Sequence, residues 1–150
     1  MAESHRLGDT LDIEVRIAAR PETIFPYLTD LAKMVTWMGF DGELDARPGG
    51  IDRVNVKGES TVSGEYVEVV PNERVVFTFG WEGEGQVVTP GSTTVEITLT
   101  PDGDGTLVRL RHYGLEGEMR ERHTEGWSFF MPRLVIACEE GSPEPYNTAV

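Results

Sequence analysis

Residues 93–113 read TTVEITLTPDGDGTLVRLRHY and carry the clearest structural pattern in the chain. A period of two puts successive side chains on opposite faces of a strand, and here one face is apolar. The residues on that face are Val95, Ile97, Leu99, Val108, Leu110 and, at the end of the series, His112. The Asp-Gly pairs between the two halves are typical of tight hairpin turns. The stretch therefore predicts antiparallel strands at residues 93–100 and 106–113 that share one buried face.

An amphipathic helix is predicted directly after this hairpin, beginning near Glu118 and ending before Gly141. Its apolar residues recur at steps of three and four, which places them on one face: Trp127, Phe130, Met131, Leu134 and Cys138. Pro132 lies inside this pattern and predicts a bend. Because a single striped helix must bury its stripe against a sheet, we expect it to pack on the hairpin's apolar face.

Further strands and two short helices precede the hairpin. Alternating or apolar runs predict strands at residues 11–18, 51–56, 61–70 and 74–81. Pro21 and Asp30 mark the starts of the two helices, and Pro26 should shorten or kink the first. The predicted fold is α+β, with a curved antiparallel sheet of about seven strands wrapped around the long C-terminal helix in a helix-grip arrangement. One helix does not fill the concave face of such a sheet, so a pocket is expected.

The length of the chain suits one domain. Its 150 residues are expected to form an ordered core over about residues 11–140 and a loosely ordered tail to Val150.

Composition limits the classes of function that the chain can have. The net charge of −13 opposes binding to nucleic acid or to an anionic membrane. No apolar run approaches the ~20 residues of a membrane-spanning helix. The only cysteine, Cys138, can form no internal disulfide, so a cytoplasmic location is expected.

Four stretches, at residues 19–30, 36–39, 64–79 and 123–134, resemble a known family. They include Arg20-Pro21-Glu22, Thr36-Trp37-Met38-Gly39, Gly64-Glu65-Tyr66 and His123-Thr124-Glu125-Gly126-Trp127. In this order they are similar to the START/Bet v 1-like (SRPBCC) superfamily, and within it to bacterial proteins related to the C-terminal domain of the activator of Hsp90 ATPase. The resemblance covers residues 11–140 and implies a helix-grip fold. It also implies an apolar ligand, since members bind varied apolar molecules and some act on polyketides. Pro26 and Pro132 depart from the family's usual helices.

The candidate site is an aromatic stripe at the open end of the predicted sheet. Phe77, Phe79 and Trp81 share one strand face and run into a polar, Gly-rich loop, beyond where a core pattern normally fades. Each candidate has a structural alternative, because a sheet face packed on a helix shows the same residue types without any ligand. The complete predicted set of ligand-binding residues is Trp37, Met38, Phe40, Tyr66, Phe77, Phe79, Trp81, His112, Trp127, Phe130, Met131 and Leu134.

Two polar candidates carry alternative interpretations. His112 is expected to point inward, where it is either a hydrogen-bonded core residue or a general base or ligand contact. Tyr66 either anchors a polar group of a ligand or faces water at a strand edge. The three histidines show no metal-ligand spacing, and the sequence carries no nucleophile or phosphate-loop motif. The sequence therefore predicts no metal, no cofactor and no assigned catalytic residue.

The sequence and the family resemblance support three alternative hypotheses for the function. The leading hypothesis is binding of a small hydrophobic ligand, including an aromatic or polyketide-like one, in an internal cavity. The second is a cyclase-like or hydrolase-like enzyme that uses His112. The third, implied by the family resemblance, is a co-chaperone-like domain that binds another protein. A homodimer is compatible with all three.

Overall fold

The computed structural model describes residues 9–141 and 143–146, and within these ranges it contains seven strands and four helices. The strands are β1 Thr10–Ile17, β2 Asp41–Leu44, β3 Ile51–Lys57, β4 Ser60–Val70, β5 Arg74–Phe79, β6 Thr93–Asp102 and β7 Gly105–Tyr113. The helices are α1 Pro21–Ile24, α2 Pro26–Thr29, α3 Leu31–Met34 and α4 Glu118–Glu140. The predicted α+β helix-grip fold is confirmed.

The seven strands form one antiparallel sheet in the order β1-β7-β6-β5-β4-β3-β2. The hairpin of β6 and β7 has the register that the alternation predicts. Val95 lies opposite His112, and Ile97 lies opposite Leu110, so the apolar side chains of both strands share one face. Inward-facing residues of this hairpin are buried, with Val95 and Leu110 fully inaccessible. This shared apolar face is the surface against which the helix can bury its own apolar stripe.

Helix α4 lies along the β1 side of the sheet. Near its start, Arg120 Nε donates to the Thr10 carbonyl at 2.9 Å, and near its end Glu139 Oε2 accepts from the Ala18 amide at 2.7 Å. The two contacts fix α4 beside β1 over the whole length of that strand. Trp127, Met131, Leu134 and Ala137 are buried, which confirms the predicted apolar stripe, whereas Phe130 is half-buried. The helix continues through Pro132.

Three single-turn helices follow β1 where the sequence predicts two. Pro26 lacks an amide hydrogen and cannot continue the hydrogen bonding of α1, so it begins a new turn at the first position of α2. Asp30 then caps α3 by accepting from the Ala32 amide at 3.1 Å, as predicted. The indole Nε1 of Trp37 donates to the Tyr27 carbonyl at 2.9 Å. These turns therefore form a packed closure at one end of the sheet.

The C-terminal segment returns to the body of the protein at Tyr146. The sequence predicts a loosely ordered tail, but the Tyr146 hydroxyl accepts from the Gly39 amide at 2.8 Å and donates to the Val56 carbonyl. The Arg133 guanidinium lies 4.8 Å from the centre of the Tyr146 ring, a cation–π contact. Tyr146 therefore links α4 to β3. Residues 142 and 147–150 of the predicted tail lie outside the described residues.

No helix within the described ranges has the length and apolarity to cross a membrane.

The packing of α4 on the sheet predicts that truncating two nearby aliphatic residues of the helix, Leu134 and Ile136, lowers the free energy of unfolding by very different amounts. Leu134 is fully buried, whereas Ile136 is 38% exposed. We expect Leu134→Ala to lower the free energy of unfolding by about 2–5 kcal/mol, since it removes buried methyl groups and leaves a cavity. The matched Ile136→Ala change should cost about 0.5 kcal/mol or less. Urea unfolding of both variants measures the difference, and equal losses would contradict the packing described here.

A candidate ligand cavity between the helix and the sheet

A cavity of about 850 Å³ lies between α4 and the part of the sheet that the helix does not cover. One wall is the inner face of β3, β4 and β5, and the opposite wall is the first half of α4. The loop of residues 82–92 covers one side. Most of its wall is apolar: Met38, Val56, Val62, Phe79, Trp81, Val87, Val88, Met119, Trp127, Phe129 and Phe130. Its volume lies in the range that is usual for small-molecule sites in proteins.

The covering loop is held against the end of β5 by close backbone contact. The Trp81 amide donates to the Val88 carbonyl at 2.8 Å, and Trp81 also bridges to Val62 of β4. Gly80 permits this approach, because a Cβ atom at that position would lie 1.8 Å from the Thr89 carbonyl oxygen. The loop therefore positions Trp81 and Val88 on the cavity wall.

Phe79 is the centre of an aromatic cluster at the back of this cavity. Its ring centre lies 4.6 Å from that of His112, 5.8 Å from that of Trp81 and 6.0 Å from that of Trp127. The ring of His123 lies 5.9 Å away. Most of these pairs are edge-to-face, the arrangement that aromatic rings favour. We call these five residues the aromatic cluster.

A hydrogen-bond chain fixes His112 behind the cavity wall. Trp127 Nε1 is a donor only, and it donates to His112 Nδ1 at 3.1 Å. Nδ1 therefore accepts, so the proton of the neutral ring is on Nε2, which donates to Thr93 Oγ1 at 2.9 Å. Thr93 in turn donates to the Phe79 carbonyl at 2.8 Å. Both ring nitrogens of His112 are thus used within the protein.

A second indole–imidazole pair lies on the cavity wall itself. His123 Nδ1 donates to the Met119 carbonyl at 2.7 Å, so Nε2 is free to accept from Trp81 Nε1 at 3.0 Å. This bond joins α4 to Trp81, directly before the covering loop. Protonation of His123 at Nε2 would break the bond, because both facing atoms would then carry a hydrogen.

Both histidines are held in the neutral form. Burial lowers the pKa of His112 to about 3, with a smaller contribution from the charge of His123. Burial also lowers the pKa of His123. The hydrogen bond to the Met119 carbonyl acts in the opposite direction, and the positive charge of Arg122 lowers the pKa further. A buried imidazolium loses its hydration, and this loss exceeds what the neighbouring indoles can offer a cation.

The structure separates the predicted site residues into two groups. Met38, Phe79, Trp81, Trp127 and Phe130 line the cavity. The other seven lie away from its wall: Trp37, Phe40, Tyr66, Phe77, His112, Met131 and Leu134.

The members of the second group have identifiable structural contacts. Trp37 is bonded to Tyr27, and Phe40 is 43% exposed with its ring 4.9 Å from that of Tyr146. Tyr66 is buried and donates its hydroxyl to the Leu28 carbonyl at 3.1 Å, which replaces the predicted water-facing position at a strand edge. A direct role of these residues in binding stays a prediction.

Several cavity residues are absent from the predicted set of ligand-binding residues. His123 is the clearest case, since Met119, His123 and Trp127 recur at four-residue steps and so extend the apolar stripe of α4 by two turns. That signal was available. Phe129 and Tyr146 had none, because Phe129 lies off the stripe and Tyr146 reaches the cavity only through the returning tail.

Other chemistry is limited among the described residues. No group of three or more histidine, cysteine, aspartate or glutamate side chains is placed to hold a metal ion within these ranges. Burial raises the pKa of the Cys138 thiol to about 12, which disfavours the reactive thiolate. Asp52 on β3 is buried outside the cavity wall, and burial raises its pKa to about 7.

Comparison with known proteins assigns the family. The profile of the Activator of Hsp90 ATPase homolog 1-like proteins matches residues 18–139. The chain belongs to this family. Membership confirms the resemblance inferred from the sequence. Among curated proteins, no match was found.

Solved structures agree with this assignment. An AHSA1-like protein from Rhizobium etli is 38% identical, with a TM-score of 0.74 over 97% of this chain and 91% of that one. DynU16, described as a protein in the dynemicin biosynthetic locus, is 25% identical with a TM-score of 0.78. The match covers 93% of this chain and half of DynU16. An Hsp90 activator from Plasmodium falciparum is 22% identical with a TM-score of 0.72, over 92% of this chain and all of that one, and shares the fold.

The neutral state of His112 predicts a specific pH dependence of stability. Because its folded pKa lies below the unfolded value near 6.5, the unfolded chain binds the extra proton between about pH 6.5 and pH 3. Stability from this residue is therefore present above pH 6.5 and is lost as the pH falls. His112→Gln can keep both hydrogen bonds but cannot titrate. The stability advantage of the wild type over this variant should shrink by about 2 kcal/mol between pH 7 and pH 5.

Urea unfolding at the two pH values measures this change. All other titrating groups are common to both proteins, so their contributions cancel in the difference. A difference that stays constant between pH 7 and pH 5 would show that the His112 pKa is not lowered by folding.

Proposed function

We propose that the protein binds a small hydrophobic molecule, of the aromatic or polyketide-like kind, in the cavity between α4 and the sheet. The observation that carries this proposal is the cavity of about 850 Å³, whose wall is mostly aromatic and aliphatic side chains. Filling such a volume with an apolar ligand removes both surfaces from water, which is the main source of affinity in sites of this type.

The hydrogen bonds of the wall support an apolar occupant. The indole N–H groups of Trp81 and Trp127 are directed to His123 and His112, and the Tyr146 hydroxyl is bonded to the backbone of β3. A polar group of a ligand placed deep in the cavity would therefore lose its water without gaining these donors. The interior favours hydrocarbon and aromatic surface over polar surface.

The family comparison supports the same class of function. DynU16 is associated by its description with the locus for dynemicin biosynthesis, which connects one structural relative to a small molecule. The fold alone does not decide function, since unrelated activities recur on the same architecture. The proposal therefore depends on the cavity, and DynU16 adds support only for a small molecule as the ligand.

The other two hypotheses receive less support. An enzyme that uses His112 would require a lone pair on the imidazole, and Nδ1 already accepts from Trp127 while Nε2 faces Thr93. The co-chaperone hypothesis rests on the family description and on a relative that shares the fold. Both stay predictions, as does a homodimer.

Gly126 allows the cavity to be filled without disturbing the core. It lines the cavity from α4, and an added Cβ atom would meet no heavy atom within 4 Å. Gly126→Ala should raise stability by up to about 1 kcal/mol, since glycine is unfavourable inside a helix. Gly126→Phe should fold as well, but its ring should occupy the space and weaken binding of a neutral apolar fluorophore such as N-phenyl-1-naphthylamine by at least tenfold.

Ser128→Phe is the matched control, because it adds the same ring two residues further along α4 at an exposed position that does not line the cavity. Fluorescence titration should show saturable binding to the wild type, to Gly126→Ala and to Ser128→Phe. Absence of saturable binding to the wild type, or equal binding to Gly126→Phe, would refute the proposal.

A further inference from the structure

The polar part of the cavity lies at the turn between β3 and β4 and at one face of α4. The charged residues on its wall are Lys57, Arg122 and Glu125, and Ser60 adds a hydroxyl. In the aromatic cluster, by contrast, the indole and imidazole nitrogens are already hydrogen-bonded within the protein. A ligand with one polar end is therefore expected to direct that end to this edge.

Lys57 and Ser60 are cross-strand neighbours on the cavity wall. They lie directly opposite each other across the hairpin of β3 and β4, so their side chains start about 5 Å apart on the same wall. The Lys57 side chain is half-buried. No hydrogen bond or ion pair to another side chain is found for either residue within residues 9–141 and 143–146. An ammonium and a hydroxyl at this spacing can both donate to one carboxylate.

The facing helix adds no unpaired cation to the wall. Arg122 and Glu125 are both exposed, and Arg122 forms an ion pair with Glu118 at 3.0 Å, so its charge is already offset. Among the described residues, Lys57 is therefore the cation of the cavity wall that forms no ion pair, and the exposed Glu59 lies in the adjoining turn. The remaining acidic surface acts weakly here, since exposed charges beyond about 8 Å are screened at physiological ionic strength.

We propose that the cavity is selective for a singly charged anionic amphiphile, with its apolar body against the aromatic cluster and its carboxylate, or a similar oxyanion, on Lys57 and Ser60. This inference rests on the proposed function. It adds the charge and the orientation of the ligand. Lys57 and Ser60 act as specificity-determining residues, and the deep apolar wall supplies most of the affinity.

Three ligands with the same chain test the proposal: dodecanoate, 1-dodecanol and dodecylamine, titrated by calorimetry at pH 8 below their micelle concentrations. The wild type should bind dodecanoate roughly tenfold more tightly than dodecanol, the effect of a charge-assisted hydrogen bond, and dodecylamine least. Lys57→Met should lower the affinity for dodecanoate to about that for dodecanol and so remove this preference. Ser60→Ala should reduce the preference, and Lys57→Arg should retain it.

Lys33→Met is the matched control, because Lys33 is the chain's only other lysine and lies on α3 away from the cavity wall. It should leave all three affinities unchanged. Equal binding of dodecanoate and dodecanol to the wild type, or tightest binding of dodecylamine, would overturn the inference and leave the proposed function intact. Binding of none of the three would also overturn the inference, whereas the fluorophore titration decides the proposed function separately.

Discussion

The cavity depends on a mismatch in width between one helix and a seven-stranded sheet. A helix with its side chains is about 10–12 Å across, whereas seven strands at a spacing of about 4.8 Å extend over roughly 29 Å. Helix α4 is fixed beside β1 by Arg120 and Glu139, so it covers the β1 and β7 side. The inner face of β3 to β5 is left facing α4 across open space. The short helices close one end, and Tyr146 links the C-terminal segment to β3.

Two indole–imidazole hydrogen bonds stabilise this open arrangement. Trp127 with His112 joins α4 to β7, and Trp81 with His123 joins the same helix to the segment between β5 and the covering loop. Each bond satisfies a donor that would otherwise be costly to bury. They also require neutral imidazoles, which links the integrity of the wall to proton binding. The two histidines differ in position, since His112 lies behind the cavity wall and His123 lies on its surface.

Family membership and function are separate conclusions for this chain. The fold and the family are shown by the profile match and by the Rhizobium etli relative. The proposed ligand class, in contrast, is inferred from the side chains that line the space between helix and sheet, and such side chains vary independently of the fold. In this chain the wall combines a deep aromatic part with a single half-buried lysine at the edge, a distribution that suits an amphipathic molecule.

Local periodicity was sufficient to predict six of the seven strands in the described part of the chain, the long helix and the buried stripe, because period and turn chemistry are properties of neighbouring residues. It did not predict β2, which is only four residues long. The alternation of β6 and β7 and the spacing of Trp127, Met131 and Leu134 correspond directly to burial in the structure. The same patterns placed Phe79, Trp81 and Trp127 near the site. They did not separate cavity wall from core, and so they gave His112 and Tyr66 the same status as Trp81. That separation depends on which strands α4 covers, on the loop that returns to β5 and on the docking of Tyr146. These are contacts between residues far apart in the chain, and only the tertiary structure decides them.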